Sequence, residues 1–247
     1  MKRAFFGLIL LLTLSCKQES TPKLTVQEIV DKAIEASGGL MYKTHGTSFM
    51  FRDRKYISQR KEGKKVLQRI TYLDSVTIKD VKTNSGLTRY FNDTIVAIPD
   101  SIAFKYANSV NSVHYFARLP YGLNDKAVNK ELLGEETLKD VAYYKVKITF
   151  DQEGGGKDFD DTYVYWFNKT TFKPDYLAYD YHTDGGGQRF REAYNERYVG
   201  GIRFVDYNNY KSKDKGTKLL EIGKLFEKGE LALLSQIELS EIEVVKN

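Results

Sequence analysis

Between Thr162 and Phe167 the chain alternates Tyr163, Tyr165 and Phe167 with Val164 and Trp166. In an extended strand these two sets point to opposite sides, and neither side suits water. Leu177, Tyr179 and Tyr181 oppose Tyr176 and Ala178 in the same manner. A strand that is apolar on both faces must be covered on both, either between two layers or with a helix on one side and a cavity on the other.

The rest of the chain supplies strands of the ordinary kind and a few helices. From Thr47 the apolar period is two, in segments over Thr47–Arg52, Tyr56–Arg60, Val66–Leu73, Val76–Val81, Leu87–Phe91 and Thr94–Ile98, divided by turn residues such as Asn92 and Asp93. No helix intervenes, so these strands pair antiparallel. Leu132–Leu138 and Tyr143–Phe150 form a hairpin across Lys139 and Asp140, and Gln188–Arg197 and Ile202–Tyr210 continue the sheet. Leu231–Val245 reads as a long closing strand, and its apolar phase shifts between Leu239 and Ile242, which predicts a bulge or bend. Eighteen tyrosines and only 4 prolines agree with extended structure.

Two helices are legible. Thr25 and Glu28 make a capping box ahead of Val26, Ile29, Val30, Ala33 and Ile34, and Gly38 and Gly39 stop that helix. A second starts at Asp100 or Ser101 after Pro99 and runs to about Arg118, with Ala103, Tyr106, Val110, Val113 and Ala117 on one stripe. Residues 219–230 show no clear period. The predicted fold class is α+β, mostly antiparallel β, with one domain over residues 25–247.

The N-terminus has the three parts of a secretion signal: Lys2 and Arg3, an apolar core from Phe5 to Leu14, and Ser15 before Cys16. The apolar run is too short to span a bilayer as a mature helix. Leu12, Thr13, Leu14 and Ser15 leading into Cys16 resemble a bacterial lipobox, with Thr13 where the usual pattern has Leu. Residues 1–15 are then the signal peptide, Cys16 carries the acyl chains, and residues 16–24 form a lipidated tether. Lys17 after the cysteine favours the outer over the inner membrane. Cys16 is the chain's only cysteine, so the body holds together without disulfides.

A formal charge of +5, reduced by two when Lys2 and Arg3 leave, is too weak to argue for nucleic acid. The basic stretch from Arg52 to Arg69 reads as the solvated face of an early hairpin. Asp158, Asp160 and Asp161 stand near His182 and Asp184 in a rough hairpin register that pairs Asp180 with Asp161. That register also brings the glycine runs 154–156 and 185–187 to one end of the sheet and sets Arg189 and Arg191 beside His182 and Asp180. Carboxylates with a histidine can hold a cation, which makes Asp160, His182 and Asp184 the candidate metal ligands, although the order of a calcium loop is missing. His114 lies beside the stripe of its helix and is expected to be a hydrogen-bonded, semi-buried histidine. No nucleophile has an evident base, and no phosphate loop or zinc-protease motif is present. An enzyme is disfavoured and no cofactor is implied.

The order of elements resembles the half-barrel of LolA-like lipoprotein-carrier proteins, as does Tyr165–Tyr179 with its Trp-Phe-Asn strand end and Lys173-Pro174. Ser109–Leu123, Thr149–Asp161 and Asp184–Arg191 resemble a family of lipoproteins from Bacteroidota. The resemblance implies a curved sheet wrapped around an apolar cavity, with the helices on its concave side. The first reading of function is therefore an envelope lipoprotein that binds an apolar or amphiphilic ligand non-covalently. Tyr163, Tyr165, Phe167, Leu177, Tyr179 and Tyr181, or else their neighbours on the opposite face, wall that cavity, unless the same residues fill a solid core. The alternatives are an interaction lipoprotein that binds another envelope protein or a glycan, and a metal-dependent hydrolase.

Overall fold

The computed structural model describes residues 23–182, 185–214 and 216–247. The expected signal peptide, Cys16, the tether up to residue 22 and Asp184 lie outside the described residues. Among the described residues the alternating segments form fourteen strands, and they build two antiparallel sheets of seven strands each in place of a single curved one. The first holds β1 (His45–Phe51), β2 (Arg54–Lys61), β3 (Lys64–Leu73), β4 (Val76–Thr83), β5 (Gly86–Phe91) and β6 (Thr94–Val96) in sequence order, with β14 (Leu239–Lys246) added beside β1. The second holds β7 (Val128–Leu138), β8 (Val141–Phe150), β9 (Thr162–Asn168), β10 (Pro174–Tyr181), β11 (Gly187–Val199), β12 (Ile202–Ser212) and β13 (Leu231–Ile237). At the turns Asn92-Asp93 and Lys139-Asp140, φ is positive at both residues (43° and 64°, 50° and 63°). A tight hairpin needs this to match the twist of its strands.

The predicted closing strand is divided between the sheets. Only Glu238 separates β13, which pairs with β12, from β14, which pairs with β1. Asp206 pins the crossing: its carboxylate accepts from Leu239 N at 2.9 Å, Arg197 Nη2 at 2.9 Å and Asn195 Nδ2 at 2.6 Å. The phase shift in the sequence is a bulge, because the register jumps from Ser48–Glu243 to Met50–Ser240 and Glu241 takes φ 50°.

Helix α1 (Val26–Ser37) has its predicted capping box and buries Ile29, Val30 and Ala33 in a core with Val146, Tyr165, Phe167 and Leu177 of the second sheet. After a single turn, α2 (Met41–Thr44), the chain enters β1. Helix α3 (Asp100–Ala117) lies against β3, β4 and β5 and packs Val113 and Ala117 with Phe49 and Tyr56. The opposite face of the second sheet is covered by α4 (Ile222–Glu227) and Leu219, which meet Val164, Trp166, Tyr176, Ala178 and Phe190. Gly223 allows this approach, since a Cβ there would stand 3.0 Å from Trp166 Cζ2. The two-faced strands β9 and β10 thus have a helix on one side.

One reading of the basic stretch is corrected. Arg69 is 5% exposed and not part of a solvated face. It donates to Asp80 Oδ2 at 2.6 Å, and Arg89 donates to Asp80 Oδ1 at 2.7 Å. Asp80 lies across β3–β4 and β4–β5 from these two arginines, so alternation along β3 alone could not reveal the pair.

Candidate functional site

On their other side β9 and β10 face a partly open hollow of about 550 Å³. Antiparallel pairing sets Tyr163 opposite Tyr179 and Tyr165 opposite Leu177, with all four on one face. The Tyr163 and Tyr179 rings stack at 5.2 Å and 21°, and Tyr163 continues to Tyr165 at 6.4 Å. Tyr163, Tyr165, Leu177, Tyr179 and Tyr181 all line the hollow. Phe167 does not: it is fully buried in the core under α1. Tyr115 and Phe116 of α3 and Phe51 and Arg52 at the end of β1 complete the wall.

These tyrosines are amphipathic groups in a dry setting. Burial pushes the Tyr163, Tyr165 and Tyr115 hydroxyls well above the ordinary tyrosine range. They stay protonated at neutral pH and can donate to a ligand. Arg189 and Arg191 enter from β11, opposite Tyr179 and Leu177. Sequence reasoning missed them as part of this wall because β11 pairs Arg189 with Tyr179 and Arg191 with Leu177, three residues along β10 from the expected His182 and Asp180, while β9 pairs Thr162 with Asp180, one residue from the expected Asp161. A slip by an odd number of residues exchanges the faces of a strand. Arg189 and Arg191 therefore belong with the tyrosines and not beside His182 and Asp180.

Asp161 reaches the rim of the hollow and is 3% exposed. Its Oδ1 lies 3.2 Å from both the backbone N and the Nδ1 of His182. Burial raises its carboxyl above the usual value, opposed by those hydrogen bonds. Alternation predicts opposite faces for Asp160 and Asp161, yet both precede β9 in a turn. Ligand atoms of Asp160, Asp161 and His182 accordingly lie within 4.8 Å of one another. Asp160 and His182 are largely exposed, at 3.7 Å, and Asp184 lies outside the described residues. The two glycine runs sit at the same end of the second sheet but border separate hollows, one with Ala127 and Val128 and the other with Lys211 and Lys213.

His114 is only 2% exposed and faces the first sheet, away from the tyrosines, with Nε2 3.1 Å from the carbonyl of Gln68. The carbonyl requires a proton on Nε2, which leaves Nδ1 as a bare acceptor. Desolvation lowers its pKa to about 3. It is a neutral structural residue packed edge-on against Phe49 and Tyr56.

Residues 42–239 match DUF6503, a family of unknown function. The chain belongs to that family. Among solved structures, the DUF6503 chain is similar to a DUF1329 family protein from Desulfovibrio piger, at 13% identity over 88% of this chain and 92% of that one, with a TM-score of 0.51. It is also similar to a LolA superfamily protein from Nitrosomonas europaea, at 12% identity over 90% and 94% of the two chains, with a TM-score of 0.49. At such identities the likeness is one of fold alone. No curated protein matches the DUF6503 chain. No helix among the described residues is long and apolar enough to cross a membrane.

Proposed function

We propose that this protein is an envelope lipoprotein, anchored through acyl chains on Cys16, that holds an apolar or amphiphilic ligand in the tyrosine-lined hollow. The observation that carries this reading is the hollow itself: about 550 Å³ falls within the usual range of small-molecule sites, which are mostly apolar with a few placed polar groups. Rings supply the area for burial and hydroxyls fix orientation. Ser112, Tyr115 and Phe116 of helix α3 stand in the wall of the hollow, and α1 packs in the core with Phe167. The helices packed on the second sheet accord with the helix-plugged body of the LolA-like carriers that the Tyr165–Tyr179 phrase resembles, and Lys17 after Cys16 favours anchoring in the outer membrane. Binding is non-covalent and uses no cofactor. A partner in the envelope would supply or receive the ligand.

Organic extracts of purified protein carrying Cys16→Ser, which cannot contribute acyl chains of its own, test the reading by mass spectrometry. A stoichiometric amphiphile is expected. Repeated preparations without one, together with no fluorescence change on adding apolar probes, would overturn it.

A further inference from the structure

On its β11 side the hollow is bordered by two guanidinium groups that no carboxylate among the described residues answers. Arg189 and Arg191 stand on the face of β11 that carries on from Tyr179 and Leu177, about 7 Å apart along the strand. Neither forms an ion pair with an acidic side chain among the described residues. Arg191 Nη2 donates to Tyr179 Oη at 2.9 Å, and the guanidinium lies over the rings of Phe116 and Tyr179 at 5.3 and 5.1 Å. Its Nε is buried with no hydrogen-bond partner. Arg189 lies over the Tyr181 ring at 4.9 Å and gives Nη1 to the carbonyl of Gln188 at 2.7 Å.

Aromatic rings hold both half-buried cations in place and cover part of each from water, which leaves their remaining donors free to pair with an anion. The acidic groups of the hollow do not fill that role. Asp158 and Asp161 precede β9, and β10 lies between β9 and β11, so about 10 Å of sheet separates them from the arginines. Asp161 is also engaged by His182. The hollow therefore has an aromatic wall with a cationic side along β11.

We infer that the hollow selects amphiphiles with an anionic head, a carboxylate or a phosphate, seated on Arg189 and Arg191 with the chain along the tyrosine wall. This rests on the reading of the hollow as a ligand site. Guanidinium groups suit such heads because they donate two parallel hydrogen bonds to a pair of oxygens.

Three probes of one chain length separate the two claims: palmitate, hexadecanol and hexadecylammonium, each competing with the neutral dye N-phenyl-1-naphthylamine on the full chain with Cys16→Ser. Palmitate is expected to displace the dye at least tenfold more tightly than hexadecanol, with hexadecylammonium weakest. Inorganic phosphate alone is expected to displace none, since it lacks the chain. Arg189→Gln and Arg191→Gln should each bring the palmitate-to-hexadecanol ratio toward one, and Arg191→Lys should retain part of it. If Arg191→Gln does not fold, Arg189→Gln, whose side chain makes fewer contacts, carries the test. Equal binding of palmitate and hexadecanol overturns the head-group inference alone. Failure of all three probes and the dye to bind overturns the ligand reading and this inference with it.

Discussion

At the scale of single residues, His114 links burial to pH. Its folded pKa of about 3 lies below the ordinary histidine value of 6.5, so the unfolded chain takes up the proton first. The stability it contributes is complete above pH 6.5 and drains away as pH falls toward 3. At pH 5 the loss is about 2 kcal/mol relative to pH 8. Denaturant titrations at the two pH values should show this loss in the wild type and a much smaller one in His114→Gln. Equal losses would place the effect elsewhere. The sequence showed His114 beside the α3 stripe and led to a hydrogen-bonded histidine, but its full burial depends on β3 and the aromatic pair Phe49 and Tyr56, which no local period encodes. Arg189 and Arg191 are a similar case. Their alternation on β11 was visible, and only the register with β10 decides which wall they join.

At the scale of elements, the capped helix α1 and the strands with primed turns were legible because their signals are local. Helix α4 was not: six residues make fewer than two turns, too short for a stripe to repeat. Its place is set by packing against Trp166 and Phe190. The closing strand was legible as bent at Leu239–Ile242, yet a phase shift does not say which strand each half meets. Asp206 decides that, since one buried carboxylate joins β11, β12 and the start of β14. Asp206→Ala strips Arg197 and the Leu239 amide of their acceptor and is expected to cost about 3 kcal/mol. Hydrogen exchange should quicken first at β14 and β1 amides. Uniform acceleration over both sheets would argue that Asp206 stabilises the fold generally and does not act at the crossing.

At the scale of the whole molecule, the fold class was legible and the division into two sheets was not. Period-two alternation names strands and their wet sides, whereas the partner of β1 is set by residues about two hundred positions away, as in the His45–Lys246 pair. A chain ending at Glu238 tests how far the molecule depends on that pairing. It leaves β1 with an open edge, and exposed edges invite strands from other chains. Size-exclusion chromatography should find such a chain associated, and a stable monomer would show that β14 is dispensable. The same pairing sets an order in time. Among the described strands β1 is made first and β14 last, so one side of β1 stays unclaimed until all the strands between them have been delivered. Such a chain cannot finish its first sheet early, and its assembly waits on its final strand.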